Sequence, residues 1–378
     1  MRLTFLCSSL EPGCDGVGDY TRRLAIELIK QGHEVIAIAL YDKYVAKISS
    51  GFQESDSICL PISRIPYHLE DKKRFQFTKN AIIEFNPEWI SLQFVIFSFH
   101  KKGLPFNLGN QLKVLVKGRK FHIMFHELWV GMAKNSVKKM ILWGWVQRQI
   151  IRNLLLKLKP TLIHTQTHIY QAQLIKLGFS VMFLPLFGNI PVIGNQNNDI
   201  RSNEIASSQE IIFILFGSIH PGAPIENLVN DLAIYSKKNK IPVSLKIMGR
   251  SGTELERWVR IWKSAGMKIQ ILGELSTENI SKNLSSSTLG ITTTPIALAG
   301  KSGTIAAMKE HGLNVMCISL PWQERHSISF AADTGIMEYN GCNINEILNC
   351  EMKLPVGSPL KTIAQQLIAN FKIRSYKN

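Results

Sequence analysis

Short apolar runs alternate with helix-patterned ones along the chain, and the alternation breaks between Gly188 and Gln209. Before the break, strand-length runs lie at Leu3–Cys7, Glu34–Leu40, Trp89–Phe94, Phe121–Phe125, Thr161–Thr165 and Val181–Leu184. Helical stretches at Tyr20–Gln31, Phe75–Phe85, Val137–Leu158 and Ile169–Lys176 separate them. Strands that are apolar on both faces and joined by helices pair in parallel, with helices covering either side. The break itself is polar, with Asn195-Gln196-Asn197-Asn198-Asp199 at its centre, and reads as a linker. Beyond it the alternation restarts, with strands at Ile211–Phe216, Val243–Met248, Lys268–Leu272, Thr288–Thr292 and Asn314–Ile318. At 378 residues the chain is too long for one ordinary core. The expected architecture is α/β, with two Rossmann-like doubly wound parallel-sheet domains facing a cleft. They take residues 1–187 and 210–358, with a linker at 188–209 and a C-terminal helix in 359–378 that packs back on the first domain.

Open α/β sheets bind ligands at the carboxyl ends of their strands, so the loops there carry the functional reading. The first loop, Gly13–Asp19, places Gly16-Val17-Gly18 between a strand and a helix, offering backbone N–H groups and a positive helix end to an anion. Its glycines have no Cβ to hold a phosphate or sugar away. The loop after Phe121–Phe125 presents His126 and Glu127. In the second half the loops carry Gly217 and Ser218, then Gly249 and Arg250, then Gly273. The last, Gly300-Lys301-Ser302-Gly303-Thr304, precedes a helix at Gly303–His311 and offers an ammonium, two hydroxyls and a helix N-terminus to a diphosphate.

The 44 Lys and Arg outnumber the 28 Asp and Glu, for a net charge of +16, which points to an anionic partner. No nucleic-acid motif appears and the basic residues are spread over both halves, so a specific nucleic acid is not expected. The densest basic stretch, 134–159, interleaves Lys138, Lys139, Arg148 and Arg152 with Met140, Trp143, Trp145 and Leu154. It reads as an amphipathic helix that either covers the sheet or meets an anionic membrane surface. No apolar run approaches the roughly eighteen residues of a membrane span, and the Leu3–Leu6 run is too short for a signal-peptide core. The six cysteines have neither disulfide-framework nor metal-ligand spacing. The chain therefore reads as cytoplasmic, peripheral on the inner membrane face if that helix meets lipid, with no metal site.

The order of these loops resembles the GT-B glycosyltransferases, and specifically the large retaining family, family 4 or group 1, that includes mannosyl- and glucosyltransferases of bacterial glycan synthesis. The resemblance covers nearly the whole chain. It implies that the glycine loop at Gly16-Val17-Gly18 followed by Asp19 and Tyr20 contacts donor diphosphate or acceptor, that His126 lies near the donor sugar, and that Gly217, Gly249 and Gly273 are nucleotide-facing turns. It further implies a nucleotide sugar as co-substrate, no other cofactor, and a glycan, lipid-linked or small-molecule acceptor. The chain departs from the family where an Arg and a Lys usually follow the first strand of the second domain, since Ser218, His220 and Pro221 stand there. It also lacks the paired glutamates, with Leu298 and Ala306 near their places and Glu310 displaced.

On this reading Lys301 and Arg250 replace the missing diphosphate clamp, aided by Ser302, Gly303 and Thr304. His126 binds a sugar hydroxyl or aligns the acceptor, Asp19 and Glu127 lie on the acceptor side, and transfer is retaining and metal-independent, with domain closure excluding water. The bland readings are a structural His126 at a strand end, Glu127 at a helix start, and Lys301 as a solvated loop lysine. A GT-B protein that binds nucleotide sugars without turnover is the nearest rival. A nicotinamide enzyme would need glycine where Thr21 stands, with Asp42 only near a ribose-binding position, and a nucleotide triphosphatase would need one where Pro295 stands.

Overall fold

The computed structural model describes residues 1–55, 57–193, 210–325, 334–350 and 355–375. Residues 194–209 of the expected linker, and His326, lie outside them. The chain divides into two compact units. The first comprises Met1–Pro185, Gln323–Ile328 and Leu360–Asn378, and the second Leu186–Trp322 and Ser329–Pro359. Each is a Rossmann-like α/β domain built on its own sheet.

The first unit runs β1 (Arg2–Cys7), α1 (Gly16–Lys30), β2 (Glu34–Asp42), β3 (Ser49–Ser55), β4 (Ile58–Pro66), α2 (Asp71–Phe85), β5 (Trp89–Phe94) and α3 (Leu108–Val116). It continues with β6 (Lys120–Phe125), α4 (Lys138–Leu158), β7 (Leu162–Thr165), α5 (His168–Lys176) and β8 (Met182–Phe183). The sheet order is β3-β4-β2-β1-β5-β6-β7-β8, parallel throughout except for the antiparallel β3–β4 pair. β5 is buried along its whole length, as its Trp-Ile-Ser-Leu-Gln-Phe sequence requires at the centre of a covered sheet.

Three features absent from the sequence reading shape this unit. The β3–β4 hairpin is mostly exposed along β3, so no apolar alternation marks it. The nine-residue α3 buries Leu108, Leu112, Leu115 and Val116. Arg74, on α2, is fully buried and donates to the carbonyls of Leu40, Pro66, Tyr67 and Leu69, with its guanidinium 3.9 Å from the Tyr41 ring centroid. The last helix, α11 (Leu360–Ser375), belongs to this unit, where Phe371 stacks on Trp89 with ring centroids 4.2 Å apart.

The second unit contains β9 (Ile211–Phe216), α6 (Ile225–Asn239), β10 (Val243–Met248), α7 (Leu255–Ser264), β11 (Lys268–Gly273), α8 (Thr277–Ser285) and β12 (Leu289–Thr292). It closes with α9 (Gly303–Glu310), β13 (Val315–Cys317), β14 (Ile336–Glu338) and α10 (Ile344–Leu348). Its parallel sheet has the order β11-β10-β9-β12-β13-β14. Alternate residues of β9 feed the two faces: Phe213 and Leu215 join Trp258 and Trp262, while Ile214 joins Ile305 and Met308. The strand order reverses between β9 and β12, so the crevice of a doubly wound sheet opens between the loops that follow those two strands.

Candidate functional site

In the second unit, three successive strands end in glycines with left-handed backbone: Gly217 after β9 (φ 97°), Gly249 after β10 (φ 86°) and Gly273 ending β11 (φ 64°). Their turns are joined edge to edge. Gly217 N–H donates to the Met248 carbonyl at 2.9 Å, and Gly249 N–H to the Gly273 carbonyl at 2.7 Å. These two amides are therefore taken, and the contribution of the glycines is a floor without side chains. A Cβ on Gly217 would come within 3.1 Å of Thr304 Cγ2, and one on Gly249 within 3.4 Å of Gly217 N.

Across the switch point stands the amino end of α9. Ser302 is its N-cap, its hydroxyl accepting from Ile305 N–H at 3.4 Å and lying 3.1 Å from Thr304 Oγ1. The first-turn N–H groups of Gly303 and Thr304 have no acceptor within the helix, and they point out of its positive end. Buried Thr293, after β12, ties the two loops: its Oγ1 accepts from His220 N–H at 2.9 Å and donates to the Ser218 carbonyl at 3.3 Å. The structure thus brings together Gly217, Ser218, Gly249, Ser302, Gly303 and Thr304. Neither His220 nor Thr293 is among the site residues expected from the sequence, where the only mark of Thr293 is a hydroxyl at a strand's carboxyl end.

Arg250 is not a free clamp. It pairs with Glu274 at 3.0 Å, and both side chains are largely exposed. The hydrogen bond and charge of Arg250 hold the Glu274 carboxyl below its usual range. A solvated pair of this kind is worth little. Glu310 is 5% exposed and accepts from Gly188 N–H at 2.6 Å, so the one acid near the place of the absent glutamates is built into the fold.

The first unit corrects the reading of the glycine loop. Asp15, not a ligand, caps α1: its Oδ1 accepts from the N–H groups of both Val17 and Gly18 at 2.9 Å. Gly18 is needed because a Cβ there would lie 2.4 Å from the Ser9 carbonyl oxygen, an approach to the protein's own backbone. Gly16 does face open space, but neither it nor Gly18 uses positive φ; Gly13 does. Asp19, expected on the acceptor side, is engaged by Arg22 and by Gly13 N–H. Glu127 is partly buried just beyond β6.

His126 stands at the end of β6 but offers no ring nitrogen. Its Nε2–H donates to Gln93 Oε1 at 2.9 Å, and its Nδ1 accepts from the Gln166 amide at 2.9 Å, which sets the tautomer. Both ring nitrogens are thus engaged within the first unit. Gln93 continues to Ser91, Ser91 to His122 Nδ1 at 2.8 Å, His122 Nε2 to His164 Nδ1 at 3.0 Å, and His164 Nε2 to Asn370 on α11 at 3.0 Å. A buried polar chain thus crosses the unit from the sheet's carboxyl edge to its last helix.

Burial pushes the His126 imidazole down to about 3 and that of His164 to about 4; burial and the two neighbouring imidazoles hold His122 well below its ordinary value. All three are neutral in the folded protein at pH 7. Since the folded values lie below the unfolded value of about 6.5, their stability contribution is complete above that pH and is lost progressively as pH falls toward the folded values. Each costs about 1.4 kcal/mol per pH unit in that window. Urea midpoints are expected to fall steeply from pH 6.5 to pH 5, and a flat profile there would contradict the neutral buried chain.

Among the described residues no three His, Cys, Asp or Glu side chains converge as metal ligands. No family model matches the chain, and no curated protein matches it. Solved structures do. Sucrose-phosphate synthase from Thermosynechococcus elongatus is similar at 15% identity and a TM-score of 0.59, with 100% of both chains covered. Anabaena HepE, solved with UDP and glucose, is similar at 13% identity and a TM-score of 0.57, over 100% of this chain and 99% of that one. A putative UDP-N-acetylglucosamine 2-epimerase from Listeria monocytogenes gives 12% identity and a TM-score of 0.57, covering 100% and 97%. The likeness spans both domains and establishes a shared fold.

Proposed function

We propose that this chain is a glycosyltransferase that takes its sugar from a nucleoside diphosphate sugar held on the second domain. The carrying observation is the side-chain-free floor of Gly217 and Gly249 set against the first-turn N–H groups of Gly303 and Thr304. A diphosphate fits that combination because its charge meets a positive helix end and its bulk meets no Cβ. The kinds of protein sharing the fold, among them a sucrose-phosphate synthase and a protein solved with UDP and glucose, support a sugar nucleotide as the ligand.

In this reading Lys301, Gly303 and Thr304 stabilise the departing diphosphate, where preorganised charge contributes most. The sugar's bond to the diphosphate oxygen breaks, its bond to the acceptor oxygen forms on the same face, and the acceptor proton passes to the leaving diphosphate. Retention follows from that same-face attack, and the cationic work falls to protein groups rather than to a metal ion. The acceptor, a glycan, lipid-linked or small molecule, is assigned to the first domain's carboxyl edge, with Glu127 beside it and His126 holding Gln93 and Gln166 in place. A sugar-nucleotide-binding protein without turnover is the second reading, favoured by uncharged Leu298 and Ala306 and by the buried engagement of Glu310.

Purified protein incubated with UDP-, GDP- and ADP-sugars decides between them. Release of one nucleoside diphosphate, with the sugar recovered in a new glycoside or as free sugar, supports transfer; stabilisation by a donor without release supports binding alone. Recovery of an epimerised sugar would replace both with the chemistry named for the Listeria protein.

A further inference from the structure

Charge in the first unit is strongly segregated. From Trp89 to Pro185 the sequence holds fourteen Lys and Arg but one acidic residue, Glu127. Within this acid-poor region α4 shows an exposed stripe at helical spacing, Lys138, Leu142, Trp145, Arg152 and Leu156, in which apolar and cationic side chains share one face. Leu142 is 66% exposed and Trp145 57%; just before the helix Val137 is 67% exposed, and in the loop before α3 Phe106 is 71% exposed.

The inner face of the helix is pinned, so these side chains have no core to turn into. Gly144 lies so close to the Val130 carbonyl that a Cβ would fall 1.9 Å from its oxygen, and a Cβ on Gly131 would fall 2.4 Å from the Met140 carbonyl oxygen. Gln147 accepts from Val130 N–H and donates to the Gly103 carbonyl, while Trp143 Nε1–H donates to the Lys102 carbonyl at 3.0 Å. That last bond fixes the exposed Lys101–Lys102 loop beside the start of α4.

We infer that the amino-terminal half of α4, with the Lys101–Lys102 loop, is a docking face for an anionic lipid bilayer. Its cations match the phosphates of acidic lipids, and Val137, Leu142 and Trp145 reach the depth of the interface, where indole rings sit favourably. Exposed Leu and Val gain nothing against the phosphates of a nucleic acid, which selects the bilayer over RNA or DNA. No helix among the described residues is long and apolar enough to cross a membrane, so the contact lies on the surface. The face follows the carboxyl ends of β5 and β6, the edge that holds Gln93 and His126, so docking sets that edge against the bilayer.

The test is co-sedimentation of the full chain with vesicles of phosphatidylcholine alone or containing 30% phosphatidylglycerol, at low and high salt, beside a short single-stranded RNA. Anionic vesicles are expected to bind, neutral ones not, with at least a tenfold loss at high salt. Lys138→Gln with Lys139→Gln should weaken vesicle binding at least fivefold, whereas Lys237→Gln with Lys238→Gln, on the second unit, should change it less than twofold. Leu142→Ser with Trp145→Ser should weaken it at least tenfold even at low salt, with the melting temperature retained. Equal loss from both lysine pairs, unchanged binding in the Leu142 and Trp145 variant, equal binding to neutral vesicles, no vesicle binding, or RNA binding that depends on the patch in its place would each overturn the inference.

Discussion

Replacing Arg74 by alanine is expected to destabilise the first domain by about 4 kcal/mol, a large share of the roughly 5–15 kcal/mol that holds an ordinary domain folded. Its guanidinium is buried and supplies the hydrogen-bond donors for four carbonyls drawn from β2, the end of β4 and the turn after it. Deleting the donors strands those oxygens away from water, at about 1–3 kcal/mol for each that finds no replacement. Asp71 pairs with Arg74 from the solvent side at 3.1 Å and also accepts from Gln111 and Tyr41, so it keeps partners when Arg74 is removed. Arg74→Lys keeps the charge but not the planar fork, so it should fall between the parent and the alanine variant. Urea denaturation gives the ranking, and an alanine variant within about 1 kcal/mol of the parent would show that these carbonyls find other donors.

The second large effect separates binding from folding. Gly303→Glu puts a carboxylate in the first turn of α9, where the helix end favours negative charge by about 0.3–1 kcal/mol. Space is available, because the nearest atom to a Cβ there is Asn189 Nδ2 at 4.0 Å. The melting temperature should hold or rise. A diphosphate on the same helix end would meet a like charge, costing about 3 kcal/mol and roughly a hundredfold in affinity. A variant that retains the parent's nucleotide affinity would remove α9 as the diphosphate site.

Most strands of the two sheets were legible because they carry near-continuous apolar residues, and Ile211–Phe216 reads as a strand on its own, whereas three-residue β14 is too short to show a pattern. The β3–β4 hairpin was not, because Ser49–Ser55 is held by backbone pairing to β4 and buries little. Short α3 falls in a region broken by Gly103, Pro105 and Gly109, which masks its apolar spacing. In the site, glycine positions reveal where backbone turns at a sheet edge. They do not reveal what the turn faces. Gly18 packs on Ser9 and Gly217 on Thr304, and the two look alike in sequence. Capping likewise stays hidden in the sequence: Asp15 occupies N–H groups that a ligand was expected to take, and Gln93 and Gln166 occupy both nitrogens of His126. Side-chain amides at strand ends carry no motif, so this chain of partners had no signal beyond the polar residues in otherwise apolar strands.

In the proposed function a nucleoside diphosphate is held between the glycine turns after β9 and β10 and the amino end of α9. Amide hydrogen exchange of the full chain, with and without UDP, GDP and ADP, tests it most directly. One nucleotide is expected to slow exchange in peptides covering Gly217–Ser218 and Gly303–Thr304, and Gly303→Glu to abolish this protection. Protection confined to other loops, or no binding of any of the three by the folded protein, would contradict it.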